Sequence, residues 1–320
     1  MPMKRNKIIR YILWISVVSL CFLILYGVVE CMARKTYELR DIVISEEFDG
    51  ISMTTGSADI RVLLSESDEV HLECYEQKNI RHMVSIEENT LTINAVDTRK
   101  WWERMESSAE ESCITLYLPY SKCGPLSIRS DTGKVEIAKD FRFEDVSVST
   151  GTGNIACYAS AKLEVRLKSS TGEILLADTK ATAITLIGSM GKVTVSRVEC
   201  TAILTVQSFD GDIELSDVAC RRLRVAGKRG DLFLRRVTAV RSFILDRTSG
   251  NISFEDCDAQ TIDIITTSGN VTGNLLSEKA FNVNTKSGTK DVPTSMTGEA
   301  CNITTDSGNV HITISQNEAR

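Results

Sequence analysis

Ten cysteines and three histidines are the residues of this 320-residue chain with most scope for metal or redox chemistry. Their spacing supports neither. There is no C-x-x-C pair, so a structural zinc cluster lacks its usual ligand spacing. His71, His82 and His311 are scattered, and no H-E-x-x-H, G-x-S-x-G or phosphate-binding loop occurs. No catalytic, cofactor-binding or metal-binding residue is therefore expected, and the chain does not read as an enzyme. Asp210 and Asp212 flank Gly211, and Asp231 follows one repeat later. Stacked carboxylates at one corner could hold Ca²⁺, which wants several oxygen ligands, but the calcium-binding nonapeptide is absent and a solvated turn is the simpler reading. Trp101 and Trp102 lie in a polar stretch, DTRKWWERMESSAEES (97–112). They form a candidate contact loop, able to stack on a sugar or enter a membrane interface; a loop pinned by packed tryptophans is the alternative.

The elements that would position these residues come from a repeat. Gly133, Gly153, Gly172, Gly191, Gly211, Gly230, Gly250, Gly269, Gly288 and Gly308 recur every 19 or 20 residues, in tips such as STGEI, FDGDI and TSGNI. Apolar residues stand two and four after most of these glycines (Ile174 and Leu176, Ile213 and Leu215) and five and seven before them (Leu167 and Val165, Val206 and Leu204). Alternation of period two means two short strands per repeat, each with one buried face. A third apolar pair, Val198/Cys200, Val218/Cys220, Val237/Ala239 and Cys257/Ala259, adds a third side. Three buried sides per 19–20 residues predict an all-β fold, a β-solenoid or parallel β-helix of about ten coils over 126–314, whose core is closed by stacking. Glycine at each tip is expected to supply a positive φ. The remaining tail, 315–320, is too short to cover the last coil, so the Gly308 coil is expected to be bare and to pair with a partner or a second copy.

Most repeat-region cysteines fall on inward positions, where cysteine acts as a small buried hydrophobe. Cys200 and Cys220 sit one coil apart, within Cα reach of a disulfide but long for its Cβ atoms. Their redox state stays open.

Tyr11 to Val29 is an uncharged run of 19 residues, about 28 Å long as a helix. Lys4, Arg5, Lys7 and Arg10 precede it. The positive flank predicts a cytoplasmic tail (1–10), a transmembrane helix (11–29) and an extracellular remainder, that is, a single-pass cell-membrane protein. A cleaved signal peptide is the rival reading. Residues 1–35 carry six basic residues and one acid, so the overall charge of −6 leaves −11 on the rest. Such a body is a poor partner for nucleic acid or anionic lipid. Residues 30–125 are a juxtamembrane segment followed by β-rich sequence without the strict period, expected to form a cap on one end of the solenoid.

GSADIRV (56–62), TLTI (90–93), ITLYLP (114–119) and the serial turns SGNIS (249–253), SGNVT (268–272) and SGNVH (307–311) give the chain a family likeness. It resembles bacterial membrane-anchored β-strand-repeat proteins described as "putative adhesins", a domain of unknown function related to LiaG-type proteins. The resemblance spans roughly residues 40–314. It implies a β-helical ectodomain linked to envelope stress or surface adhesion, with an unidentified protein or glycan partner, and it carries over no catalytic residues. The sequence departs from the pattern at Gly273 and at Lys290, where an apolar residue is expected. Two other readings stay open: a carbohydrate-active β-helix enzyme, by analogy of fold alone, and a self-assembling structural protein joined through the C-terminal coil.

Overall fold

A computed structural model describes Trp14 and residues 17–25, 37–77, 79–100, 112–295 and 297–315. Trp101 and Trp102 lie outside the described residues. Trp14 and residues 17–25 are helical and exposed. Among the described residues no helix is long and apolar enough to cross a membrane. Part of the 11–29 run expected to do so lies outside them.

The repeat folds as parallel coils. Strand Val146–Thr150 pairs with Leu126–Ser130 on one side and Glu164–Ser169 on the other, with Val146 opposite Leu126 and Val165. Past the glycine tip, Ile155–Cys157 lies between Val135–Ile137 and Ile174–Ala177. Each residue therefore sits beside its equivalent one repeat away, and identical inward positions pile into a column. Val165, Leu167, Leu186, Leu204, Val206 and Leu223 are each 0% exposed. A fully buried aliphatic side chain contributes about 1.5–3 kcal/mol, so the columns are the main source of stability. The third side forms as expected: Val198, Cys200, Val218, Cys220, Val237, Ala239, Cys257 and Ala259 are all buried. In the middle coils it merges with the next first side into long strands such as Val193–Ser208 and Leu232–Ser249, with a register shift where the strand rounds the corner.

The N-terminal β-rich segment is not wholly a cap. Strand Gly50–Thr55 pairs in parallel with Leu126–Ser130 and with Thr90–Asp97, and Asp59–Leu64 pairs in parallel with Val135–Ile137 and Cys113–Leu118. The strands Gly50–Thr55 and Asp59–Leu64 thus form one further coil, and Thr90–Asp97 and Cys113–Leu118 lie outside it as sides of a second. Capping falls to three other strands. Val70–Gln77 runs antiparallel to Cys113–Leu118, Tyr37–Ile44 antiparallel to Val70–Gln77, and Ile80–Glu87 antiparallel to Thr90–Asp97. Reversed strands use up the open edge without continuing the coil.

The C-terminal end corrects the sequence reading. Strand Glu299–Ser307 lies between Ile252–Ser268 and Lys279–Thr285, with Ile303 opposite both Ile264 and Val283. Val310–Ile314 likewise lies between Val271–Leu275 and Lys290–Asp291. The last coil in sequence is therefore one layer inside the stack, and the Gly288 coil is outermost. Val310 and Ile312 are accordingly 0% and 2% exposed, so the coil expected to be bare is covered. Phe281, Val283 and Val292 of the outer coil are only partly buried. The position of Lys290 explains its departure from the apolar pattern. It faces Val310 at the open end, where no further coil would bury it, and its Nζ donates to the Val283 carbonyl at 2.7 Å.

Candidate functional site

The ten turn glycines stack into one column, and the reason for glycine is mainly contact rather than φ. Only Gly230, Gly250 and Gly269 among them adopt a positive φ. At the others a Cβ would strike the neighbouring coil: at Gly153 it would lie 1.9 Å from the Gly133 carbonyl oxygen, and at Gly172 2.1 Å from that of Gly153. The expectation that every tip needs a left-handed residue is corrected accordingly.

Two further columns hold the tips. A buried hydroxyl three residues before the glycine closes the turn: Ser130 Oγ accepts the Gly133 N–H at 3.0 Å, and Ser169 Oγ accepts that of Gly172 at 2.9 Å and donates to the Gly153 carbonyl at 3.2 Å. Arg247 takes this place in one coil. Its buried guanidinium donates to the Arg229 carbonyl at 2.9 Å and to that of Gly230, and burial lowers its pKa. The Asp or Asn after the glycine forms the other column. Asp212 Oδ1 accepts the Asp231 N–H at 2.8 Å, Asp231 Oδ1 that of Asn251 at 2.7 Å, Asn251 Oδ1 that of Asn270 at 3.1 Å, and Asn270 Oδ1 that of Asn309 at 3.0 Å. This ladder is the physical content of the SG-[ND] motif.

The corner acids considered for calcium are already engaged. Asp210 accepts a forked pair of bonds from Arg229, and Asp212 and Asp231 serve the ladder. At the next corner Asp178, Arg197, Asp217, Arg236 and Asp256 all adopt φ between 52° and 55° or, for Arg236, 49°. They alternate in sign along the rod, and Arg197–Asp178 and Arg236–Asp217 are forked pairs with closest approaches of 2.5 and 2.6 Å. The hydrogen bonds from these arginines hold the three carboxylates Asp178, Asp210 and Asp217 below their ordinary range. Being exposed, the pairs add little stability and chiefly fix the register.

Cys200 and Cys220 face each other in register, and both thiols are free. Burial pushes the thiols of Cys157, Cys220 and Cys301 up to about 12 and those of Cys74 and Cys257 up to about 11. These are packed side chains, not nucleophiles, since a reactive cysteine needs its thiolate.

One cluster escapes the sequence reading. Cys74, Glu76 and His82 bring a thiol, a carboxylate and an imidazole within 4.8 Å of one another, all buried. Cys74 and Glu76 share a face of strand Val70–Gln77 by alternation; His82 joins them across the turn to Ile80–Glu87. The list of residues resembles a nucleophile–base–acid triad, but the geometry does not. His82 Nε2 has no hydrogen-bond partner, and the Cys74 side chain is 0% exposed with its thiol pushed up. Nor is it a ready metal cradle. Glu76 accepts the His82 backbone N–H at 2.8 Å and Nδ1 at 2.9 Å, and Arg40 Nε stands 3.5 Å from its other oxygen. A cation already balances the carboxylate. The cluster ties the capping strands together.

It also makes the cap sensitive to acid. Burial holds the His82 imidazole below its ordinary 6.5, although Glu76 pulls it upward. As pH falls the unfolded chain takes up this proton before the folded chain does. The contribution is therefore full above about pH 6.5 and is lost as the pH drops below it. Hydrogen exchange in residues 70–87 is expected to speed up between about pH 7 and 5, and His82→Gln should flatten that dependence. An equally steep profile in the variant would move the effect to another group.

Ten closely stacked glycine tips, three buried sides and buried repeat-region thiols define a β-solenoid. The sequence profile of the Toastrack DUF4097 family matches residues 48–203 and 201–320, and the chain belongs to that family. No curated protein matches it. Among solved structures it is similar to a putative adhesin from Parabacteroides merdae (13% identity, TM-score 0.51, 74% of this chain and 96% of that one). It is also similar to a putative lipid binding protein from Parabacteroides distasonis (19% identity, TM-score 0.51, 74% and 94%). At these identities the likeness is one of fold.

Proposed function

We propose that the protein is a single-pass membrane protein that presents a non-enzymatic β-solenoid outside the cell, for adhesion or for sensing envelope stress. The observation that carries this reading is the commitment of the reactive groups. The repeat-region thiols are buried, the corner carboxylates are paired or bonded to turns, and the Cys74–Glu76–His82 cluster is buried in the cap. The uncharged Tyr11–Val29 run with its basic flank supports the topology. The names of the two similar solved structures, a putative adhesin and a putative lipid binding protein, are in keeping with a surface role. Within 126–314, coils of 19–20 residues leave no long loops to wall a substrate groove, which weighs against the carbohydrate-active alternative. Self-assembly is favoured by one observation, the open outer coil, with Phe281 and Val283 half-covered. Any such contact would use the Gly288 coil, and Lys286 and Lys290 at that end oppose edge pairing.

Topology is the direct test. Protease added to intact, wall-stripped cells is expected to digest residues 36–320 while a tag at the N-terminus stays protected. Full protection of the β domain would reverse the orientation.

A further inference from the structure

Charge along this rod follows a rule in many coils, and four of the residues that break it gather at one corner. From coil to coil, opposite charges face each other: Lys180 with Glu199, Lys192 with Glu214, Arg235 with Glu255 and Lys286 with Asp306 lie 2.6–3.4 Å apart, besides the forked pairs Asp178–Arg197 and Asp217–Arg236. Arg221, Arg222, Arg224 and Arg241 do not obey it. All four are exposed. None has a side-chain hydrogen bond or an ion pair, although the chain as a whole is acidic. Arg222 has Ile203 and Ser242 as its in-register neighbours, and Arg224 has Thr205 and Ile244. Arg221 falls at the register shift between Cys220 and Arg222, beside the corner that carries Arg241 on the next coil. Asp246, an exposed acid of that coil, stands opposite Ala226 rather than opposite an arginine. Like charges on adjacent strands repel, and among the described residues no acid forms an ion pair with these four.

We propose that this corner is a binding surface for a linear polyol-phosphate polymer, not a nucleic acid, whose phosphodiesters supply the missing counter-charges. Arg222 and Arg224 lie two residues apart on one strand, about 6.7 Å, and the next coil is about 4.8 Å away. That spacing presents several guanidinium forks to successive phosphates, and the planar fork matches a phosphate bidentately. The surface is open, so a single small anion would be held by screened contacts worth little each. A polymer gains from multivalency and from release of its condensed counterions. The overall negative charge of the chain does not forbid this, because screening confines each patch to about 10 Å at 0.1 M salt. The assignment rests on reading the protein as a non-catalytic binding rod and deepens it by naming the partner's chemistry.

Binding of full-length protein in neutral detergent micelles to poly(glycerol phosphate) tests it directly. Free glycerol phosphate at equal total phosphate and dextran sulfate serve as comparison probes. The polymer is expected to bind at 50 mM salt, and Arg222→Ser/Arg224→Ser to weaken it about tenfold or more. The slope of log affinity against log salt should become shallower by roughly 1.4, about 0.7 per lost contact. Arg235→Gln, which removes an arginine already paired with Glu255, should change affinity less than about twofold, and unchanged melting curves confirm that both variants fold. No binding, equal loss with Arg235→Gln, equal affinity for the monomeric phosphate, or stronger binding to the sulfated glucan would each overturn the proposal. The readout is binding and not location, so an inverted topology in the protease experiment fails separately.

Discussion

Replacing Gly153 by alanine is expected to destabilise the solenoid by about 4 kcal/mol or more, a size reserved for a few mechanisms, of which backbone collision is one. The added Cβ would lie 1.9 Å from the Gly133 carbonyl oxygen and 2.9 Å from that of Thr132. Both partners are backbone, so no side chain can rotate away. Relief requires the two coils to separate by more than an ångström. That would stretch the ladder bonds on both sides of the tip, where Val146–Thr150 and Ile155–Cys157 are held by coils above and below. Gly56→Ala is the matched control. Nothing lies within 4 Å of a Cβ there, and a change of about 0.5 kcal/mol or less is expected. Urea unfolding of the two variants distinguishes a close-packed column from turns that merely tolerate glycine. Similar midpoints would show that the column is not in contact.

The middle of this fold was legible because the same event recurs at a fixed spacing. A tip that stacks on its own copy needs glycine, which recurs at all ten tips and is followed by Asp or Asn at six of the ten. The ends were not legible, for a physical reason in each case. At the N-terminal end the tip position facing Gly133 is held by Ala58, whose carbonyl oxygen lies 1.9 Å from where a Gly133 Cβ would be. The coil lacks the marker residue, and the chain makes another coil and two capping strands before it resumes at Leu126. At the C-terminal end the glycines keep their spacing, but period does not encode order. A repeat specifies what a coil stacks against, not which copy, and Gly269, Gly308 and Gly288 follow each other in space against the order of the chain. The Cys74–Glu76–His82 cluster was hidden for a third reason: its members belong to strands that are consecutive but not paired with each other. The unpaired arginines were visible as residues, yet only register shows that no acid faces them.

The order of the last coils yields the second large effect. If coils stacked as they occur in sequence, Val283 would be enclosed between Ile264 and Ile303, and Ile303 would lie at the open end. The structure reverses the two roles. Ile303 is 0% exposed between Ile264 and Val283, whereas Val283 is only partly buried. Ile303→Asp is therefore expected to cost about 4 kcal/mol, since it places an unpartnered carboxylate in an apolar column. Val283→Asp, with water on its outer side, should cost about 1 kcal/mol. A solenoid divides its stability among neighbouring contacts, so the damage need not spread to the whole rod. Hydrogen exchange resolved along the chain is the suitable measurement. In Ile303→Asp, protection should collapse over 279–314 while the coils from 126 to 268 stay protected, because the outer coil has only the damaged one to rest on. In Val283→Asp, residues 299–314 should keep their protection. The opposite ranking would restore the order of the sequence, with the Gly308 coil at the end of the stack.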